Sequence, residues 1–540
     1  MDLHFFRRHA LSLSVFAFTL ALRLFSLCRL AHSPYGVPAT SDMRFYADWA
    51  RRIANGELTD FHAFYAQPLY AYLLGGIFAL AGFQPALVGV IQAMLDAFTA
   101  LLIYQIARLT FDEKPQRGAL IGLVAAAGWA FFVPSAAYSG LLIPASWMVA
   151  AWTFCIWWLL RRSETACHVE WLSIALFIGA MAMMSATILF VLPLFFARAA
   201  MRRASVFAAA LVAGVIVGSS PAWLHNCFVA RDRVFLSAHS GVNFWIGNNP
   251  EANGYPRVPP ELSSEQAGLL ADSIKVAETA AGHPLPRSAV SDFWSAKARD
   301  HIRSAPLTWL RLLALKAKNF WNRFEYDDLS SITALRDAGI VWPGISFGLI
   351  AALGLPGGVL ALRNSRARWI VAVVLLQMLA LLPVFVNERY RLPAAPGLLL
   401  LSAFFLAELG RAIFIFNWRR LAASAAMLAL SIGFTTMSPA TGEPALWSVN
   451  DYKTARRQLI AGDYPRGEVR LRRAFASMVP PAQVSVGVAN GFAEIAREQS
   501  MAGEAAAAVR TIEEAIRINP ADPRLRVLRQ RIADGMAARP

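Results

Sequence analysis

Residues 85–110, PALVGVIQAMLDAFTALLIYQIARLT, form an apolar run interrupted by one acid, Asp96. About 20 mostly apolar residues are enough for a helix to cross the hydrocarbon core of a bilayer, so this run can span it. Similar runs recur along the chain, which is 57% hydrophobic and only 16% charged. A soluble domain is about a quarter charged, so an ordinary soluble protein is excluded. The sequence predicts an all-α, polytopic membrane protein.

Eleven stretches are candidates for transmembrane helices by length and apolar content. They are residues 11–30, 85–110, 118–133, 144–160, 170–184, 187–200, 206–224, 340–362, 369–386, 392–409 and 421–437. The two short stretches around Ser185 could also form one long helix. The first stretch follows Arg7 and Arg8 as in a signal peptide, but it is long and contains Arg23. A retained first helix is therefore predicted.

Lys and Arg are concentrated in alternate short loops, which sets the predicted orientation. They precede the first stretch and follow every second one: Arg7, Arg8, Lys114, Arg117, Arg161, Arg162, Arg202, Arg203, Arg363, Arg366, Arg368, Arg411, Arg419 and Arg420. Since such cations gather in cytoplasmic loops, these loops are predicted to be cytoplasmic and the others extracytoplasmic. The net charge of +16 then fits cytoplasmic loops and anionic lipid surfaces. No basic stripe interleaved with aromatic residues indicates nucleic acid binding.

The chain is predicted to divide into a membrane domain, residues 1–438, and a helical tail, residues 439–540. The membrane domain has a first extracytoplasmic loop at residues 31–84 and a large extracytoplasmic loop at residues 225–339. The tail contains two related units, which begin with LIAGDY at 459–464 and SMAGE at 500–504. A Gly at the turn between helices, an Ala in the second helix and a closing Pro are typical of tetratricopeptide repeats. An unrelated helical tail is the alternative, because the period exceeds the usual 34 residues.

The first loop carries the first candidate for chemistry. Residues 40–72, TSDMRFYADWARRIANGELTDFHAFYAQPLYAY, combine an early acid, Asp42, with an amphipathic pattern and a cluster of aromatic residues. A carboxylate at a membrane surface can act as general base on an acceptor hydroxyl. It can equally cap a helix that begins at Met43, since Ser41 and Asp42 are both good N-cap residues. Spacing alone favours the cap.

A second candidate is NERYRLP at residues 387–393, between two of the apolar stretches. Arg389 and Arg391 fit a lipid-linked phosphate, because a guanidinium group matches phosphate oxygens in pairs. Two basic residues that bind ordinary lipid headgroups are the alternative. Glu388 is expected to neutralise one of them. Asp96 is an acid within the membrane, and a structural ion pair with Arg23 is favoured over a functional role.

Several kinds of site are missing from the sequence. It has no phosphate-binding glycine loop, zinc signature or serine-hydrolase motif. The four cysteines lie far apart and form no CxxC pair, which supports neither a zinc site nor a disulfide framework. No metal ligands are predicted, and dependence on a divalent metal is left open. The sequence also lacks a nucleotide-binding domain. If the protein is a transferase, its activated donor is therefore expected to arrive through the membrane.

Three segments in order resemble one family. They are an acid after the first span followed by Tyr46, Trp49 and Ala50, the segment FYAQPLYAYLLG at 64–75, and RYRLPAAP at 389–396. Together they resemble the polytopic glycosyltransferases of the C superfamily (GT-C). The most similar branch is the family 39 type, with protein mannosyltransferases and the lipid A aminoarabinose transferase. The segment GVNFWIGNNPEANG at 241–254 resembles that group's large periplasmic loop.

The resemblance implies an enzyme of the bacterial inner membrane with its active site and C-terminus in the periplasm. It would transfer a hexose or pentose from a polyprenyl-phosphate sugar to an envelope acceptor, a lipid, glycan or protein, with inversion. Asp42 would be the general base. The implied substrate-binding residues are Arg389, Arg391, Tyr390, Tyr46, Tyr65, Gln67, Tyr70, Asn248 and Asn249. Membrane lipids, and a protein bound to the tail, are the other implied partners.

Two departures from the family pattern leave other functions open. AAYSGLLIPASW at 136–147 lacks the charged residue that many relatives carry, and GAMAMMSATILF at 179–190 lacks their Arg. Either the donor is held differently or activity is weakened or lost. The competing hypotheses are a transporter or flippase of a lipid-linked substrate and a catalytically inactive scaffold in envelope assembly.

Overall fold

The computed structural model of the protein describes residues 3–36, 38, 41–111, 115–203, 205–263, 265–326, 332–437, 444–476 and 482–535. Over these residues the chain is helical and forms no β-strand. One isolated β-bridge, between Phe132 and Ile345, joins two loops. The prediction of an all-α protein is confirmed.

The first eleven helices cover the chain up to Leu224. They are α1 (Leu3–Ala31), α2 (Ser41–Ala54), α3 (Pro68–Ala81), α4 (Pro85–Thr110), α5 (Pro115–Ala130), α6 (Val133–Ser139), α7 (Ala145–Arg161), α8 (His168–Ala182), α9 (Leu192–Met201), α10 (Ser205–Gly218) and α11 (Ser220–Leu224). A 3₁₀ segment, Ala186–Val191, separates α8 from α9. The two apolar stretches around Ser185 are therefore not one long helix.

The second half of the membrane domain and its large loop form ten more helices. They are α12 (Ser240–Asn248), α13 (Gln266–Ala281), α14 (Arg287–Ser304), α15 (Pro306–Trp321), α16 (Ile332–Asp337), α17 (Phe347–Ala361), α18 (Ala367–Leu381), α19 (Glu388–Arg391), α20 (Ala395–Phe414) and α21 (Trp418–Thr436). The helical structure breaks between α14 and α15, and α15 begins at Pro306. Proline has no N–H to continue a helix, but it fits the first turn of the next one.

Every predicted span coincides with a helix, but the expected number of membrane crossings is not supported. Among the described residues, three helices are long and apolar enough to cross a membrane: Ala10–Ala31, Pro85–Thr110 and Glu388–Phe414. A pair bent by 52°, Ser205–Gly218 and Ser220–Val229, would make a fourth. Five other apolar helices have 10–17 residues. At 1.5 Å per residue they are shorter than a bilayer core of about 30 Å.

A buried ion pair joins the first two long spans. The Arg23 Nε contacts Asp96 Oδ2, and both side chains are almost fully buried. The other guanidinium nitrogens donate to the carbonyl oxygens of Ala130 at 2.7 Å and Trp129 at 2.8 Å. Ser135 Oγ donates to the same carboxylate. Charges in this position require such complete pairing. The predicted structural role of Asp96 is confirmed.

The described residues of the tail form five helices around a hydrophobic cluster of their own. They are α22 (Pro444–Ile460), α23 (Tyr464–Ala476), α24 (Ala482–Met501), α25 (Ala505–Ile518) and α26 (Pro523–Ala533). Gly462 and Gly503 lie in the turns of the two hairpins with φ of +77° and +82°, a conformation that favours glycine. The helical hairpins agree with the sequence pattern, and the tetratricopeptide assignment stays a prediction. The tail also touches the first loop, where Arg457 Nη2 lies 3.9 Å from Met43 Sδ.

Candidate active site

A cavity of about 560 Å³, here called the main cavity, lies where the first loop meets the large loop and the ends of several membrane helices. Two charged residues that are far apart in the sequence meet on its wall. Asp42 Oδ2 lies 3.1 Å from Arg389 Nη2, and the side chains are 25% and 9% exposed. Tyr46, Gln67 and Tyr390 line the same cavity. The structure therefore brings together five of the residues that the sequence singled out.

Asp42 lies inside the first turn of α2. The helix begins at Ser41 and not at Met43, so the N-cap interpretation of Asp42 does not hold. The backbone N–H of Ser41 instead donates to the carboxylate of Glu265, from the large loop. A carboxylate near the first N–H groups of a helix is stabilised there, since those groups have no partner within the helix. With Glu265 in that place, the Asp42 side chain faces the main cavity.

Arg391 does not line the main cavity, contrary to the sequence-based expectation. Its side chain is 1% exposed and pairs with Glu388. Its guanidinium also donates to the carbonyl oxygens of Asn322 at 2.7 Å and Phe324 at 2.8 Å, and it lies 3.7 Å from the centre of the Phe347 ring. The prediction that Glu388 neutralises one of the two arginines is confirmed. Arg391 thus ties the membrane helices to the end of α15.

Three further expected site residues lie away from the main cavity. Tyr70 is fully buried and donates from its hydroxyl to Gln92 Oε1 at 2.9 Å. Asn248 Oδ1 accepts hydrogen bonds from Trp309 Nε1 and Lys316 Nζ, each at 3.0 Å. Asn249 donates to carbonyl oxygens within its own helix. These contacts hold the large loop and the first loop in place. Tyr65 lines two smaller hollows beside the main cavity.

The wall of the main cavity combines apolar and polar side chains. Apolar residues at or near helix ends are Ile143, Met148, Leu381, Val384 and Phe385. The large loop adds the polar residues Arg233, Ser237, His239, Asn243, Ser288 and Asp292, together with apolar ones such as Phe235 and Leu236. The break between α8 and α9 also lies on the wall. Irregular backbone at a helix break is tolerated where it lines a cavity.

Arg233 is a cavity residue that the sequence reasoning missed. Between 232 and 239, the residues at even positions are buried, while Arg233 and Phe235 are exposed and line the cavity. This period of two is the pattern of an extended segment with one face on the protein. The sequence does not show this alternation, because the buried position 232 holds the charged Asp232 and the exposed position 235 holds the apolar Phe235. Only the structure reveals it and places the segment on this cavity.

Two titratable side chains on the wall of the main cavity, Tyr46 and His239, are uncharged at neutral pH. Burial, and then the nearby Asp42 carboxylate, raises the pKa of the Tyr46 phenol, which therefore stays protonated. Burial lowers the pKa of His239 to about 4, and the ring accordingly is uncharged at neutral pH. The Gln377 Oε1 atom on the same wall is buried and has no hydrogen-bond partner in the described part of the chain. A ligand hydroxyl could satisfy this acceptor.

The buried amine of Lys316 makes stability depend on pH. Lys316 lies in α15, outside the candidate spans, and burial lowers its pKa from 10.5 to about 7. Between those values the unfolded state binds more protons than the folded state, so stability rises with pH there, by up to about 1.4 kcal/mol per pH unit. We expect the melting temperature to rise from pH 7 to pH 9. Lys316→Met should flatten that rise, whereas the matched control Lys318→Met should keep it.

The described residues contain no cluster of three or more His, Cys, Asp or Glu side chains that could hold a metal ion. The main cavity offers a guanidinium group and apolar side chains, which suit a molecule with an anionic group and an apolar chain. The carboxylate of Asp42 lies on the same wall.

Comparisons with known proteins give a distant structural similarity. No family model and no curated protein matches the chain. The archaeal oligosaccharyltransferase AglB from Archaeoglobus fulgidus, solved with an inhibitory peptide and a dolichol-phosphate, matches with a TM-score of 0.40 and 13% identity over 85% of this chain. The Archaeoglobus fulgidus oligosaccharyltransferase tethered to an acceptor peptide matches with a TM-score of 0.39 and 14% identity over 86% of it. The chain covers 59% of either structure, and a similarity this low assigns neither family nor activity.

Proposed function

We propose that the protein is a membrane glycosyltransferase that moves a sugar from a polyprenyl-phosphate donor to a hydroxyl of an envelope acceptor on the periplasmic side. The observation that supports this most directly is the Asp42–Arg389 pair, at 3.1 Å, on the wall of a large cavity with both apolar and polar lining residues. A polyprenyl chain suits the apolar lining residues. A phosphate suits the guanidinium groups, and a sugar suits the hydroxyl, amide and imidazole groups of the lining.

In the proposed reaction, Asp42 accepts the proton of the acceptor hydroxyl as its oxygen attacks the anomeric carbon. The bond from that carbon to the phosphate oxygen breaks, and polyprenyl phosphate leaves with the electron pair. The configuration at the carbon is inverted. Arg389 has five N–H donors in one plane, so it can hold Asp42 and a phosphate oxygen at the same time. Arg233 is the second cation for the phosphate in this proposal, in the place that Arg391 was expected to fill.

A change at Arg389 tests the donor side of the proposal. Loss of a charge-assisted hydrogen bond costs about 1.5–3 kcal/mol, so Arg389→Ala should raise KM for a polyprenyl-phosphate hexose by about 10- to 100-fold. Arg389→Lys, which keeps the charge but not the planar group, should recover part of the affinity. Steady-state kinetics with a radiolabelled donor measures both. An unchanged KM in Arg389→Ala would remove Arg389 from the phosphate site.

The function itself is tested in cells. Mass spectrometry of envelope lipids, glycans and glycoproteins should reveal one class that loses a hexose or pentose when the gene is deleted, and regains it with the intact gene but not with Asp42→Asn. This comparison identifies the sugar and the acceptor together. If Asp42→Asn restores the modification, the chain does not use Asp42 as its base, and a scaffold or a flippase becomes the better explanation.

A further inference from the structure

A second hollow of about 110 Å³ lies along the first-loop helix. Three side chains of α2, Phe45, Trp49 and Arg52, line it at spacings of four and three residues, which puts them on one face of the helix. The loop segment 57–60 and Arg287 of α14 close the other sides. We call this hollow the α2 groove. Asp42, the candidate general base, precedes Phe45 by three residues and therefore lies on the same face of α2 as the groove residues.

The lining of the α2 groove combines aromatic and charged side chains. Phe45, Trp49 and Phe64 form packed aromatic pairs, with ring centroids 5.8 Å apart for Phe45 and Trp49 and 5.9 Å for Trp49 and Phe64. The charged residues, here called the charged rim, are Arg52, Glu57, Asp60 and Arg287, and Arg287 donates to Asp60 at 3.0 Å. Their formal charges cancel. The groove thus offers flat apolar faces beside strong hydrogen-bonding groups, without a net field for a charged ligand.

The α2 groove is separated from the main cavity by a very small hollow. This hollow holds about 10 Å³, roughly the space of one water molecule. It shares Tyr65 and Arg287 with the groove, and Ala238 and Ser291 with the main cavity. The three hollows therefore lie side by side. Tyr65 lies between the α2 groove and the small hollow, which we call the junction.

Tyr65 has a buried hydroxyl group at this junction that a ligand could hydrogen-bond. The side chain is 5% exposed, and its hydroxyl makes no hydrogen bond in the described part of the chain. Burial, and then the negative charge of the Asp42 carboxylate, raises the pKa of this phenol. The hydroxyl therefore stays protonated at neutral pH. A buried hydroxyl without a partner is costly, and a ligand hydroxyl in the junction would satisfy it.

We propose that the α2 groove binds the acceptor of the reaction, and that this acceptor is a neutral glycan. This inference rests on the proposed glycosyltransferase function. One sugar ring lies against the aromatic faces of Trp49 and Phe45, while Arg52, Glu57 and Asp60 bind its hydroxyls. Phe45 is one helical turn, about 4.5 Å along the axis, from Asp42. A hydroxyl at that end of the groove enters the junction beside Tyr65 and reaches the general base.

Other acceptors fit the groove less well. A lipid chain would leave four charged side chains in contact with hydrocarbon, which is unfavourable. An extended peptide commonly binds by pairing with the edge of a sheet, and the described residues form no strand. A glycan uses both the aromatic faces and the charged rim.

Saturation-transfer NMR on the full chain in detergent tests this assignment. The probes are three neutral trisaccharides, maltotriose, cellotriose and chitotriose, and a Ser/Thr-containing hexapeptide. We expect at least one trisaccharide to bind, and Arg52→Ala and Glu57→Gln each to weaken it at least tenfold. Arg51→Ala is the matched control, because Arg51 is the neighbouring residue of the same helix but lies over Phe83, outside the groove. It should leave binding unchanged.

The outcomes separate this inference from the proposed function. Asp42→Asn should keep trisaccharide binding while it loses sugar transfer. If transfer depends on Asp42 but no trisaccharide binds, or if the groove variants bind as the intact chain does, the glycan assignment is wrong although the glycosyltransferase stands. Binding of the hexapeptide with the same dependence on Arg52 would replace the glycan by a protein acceptor. If transfer survives in Asp42→Asn, the proposed catalytic site fails whatever binds the groove.

Discussion

Asp42→Asn is expected to lower the rate of sugar transfer by about 10²- to 10⁴-fold, the usual contribution of a general base. Asparagine has almost the shape of aspartate but cannot accept the proton of the acceptor hydroxyl. Its side chain still reaches Arg389 by a hydrogen bond, so the fold and the affinity for the donor should change little. The measurement is the transfer of a radiolabelled sugar from polyprenyl phosphate in a membrane preparation.

Asp48→Asn is the control for this experiment. Asp48 lies in the same helix, but its side chain is 51% exposed and pairs with Arg44 and Arg51 on the surface. Its replacement should leave the transfer rate within a factor of two or so, since exposed pairs of this kind contribute little. A transfer rate in Asp42→Asn above about a tenth of that of the intact chain would contradict the base role.

Arg391→Ala is expected to have the largest effect on stability, a loss of about 3–5 kcal/mol. The replacement leaves Glu388 as a buried charge and takes the donors away from the carbonyl oxygens of Asn322 and Phe324. We expect the melting temperature in detergent, followed by size-exclusion chromatography after heating, to fall strongly. The double variant Arg391→Met with Glu388→Gln should recover part of the loss, because it removes both charges together.

Arg389, two residues before Arg391, should contribute much less to stability. Arg389 pairs with a carboxylate that is 25% exposed on a cavity wall, so its loss leaves no fully buried charge. Arg389→Ala should therefore lower the melting temperature much less than Arg391→Ala does, while it impairs donor binding. Equal losses of stability in the Arg389→Ala and Arg391→Ala variants would show that both residues are structural, and would remove the main cation from the proposed site.

The two arginines also illustrate the limit of sequence reasoning about the site. Both lie in one short motif between apolar stretches, and nothing in their spacing distinguishes them. Their roles differ because one turn of helix directs Arg389 towards Asp42 and Arg391 towards the end of α15. The same holds for Asn248, which the resemblance implied as a substrate-binding residue. Its amide instead joins Trp309, Lys316 and Pro383.

By itself, the sequence predicted that the chain is helical, where most of its apolar helices lie, and that a pair between Arg23 and Asp96 is favoured. These follow from apolar run length, turn-forming residues and the cost of an isolated charge in an apolar interior, which are all local or pairwise properties. It also singled out Asp42 and Arg389. Only the tertiary structure brought those two together, opened the α2 groove beside them and turned Arg391 away. The direction in which a side chain points, and its distance from residues far away in the sequence, depend on how all the helices pack. A local sequence pattern does not contain this information.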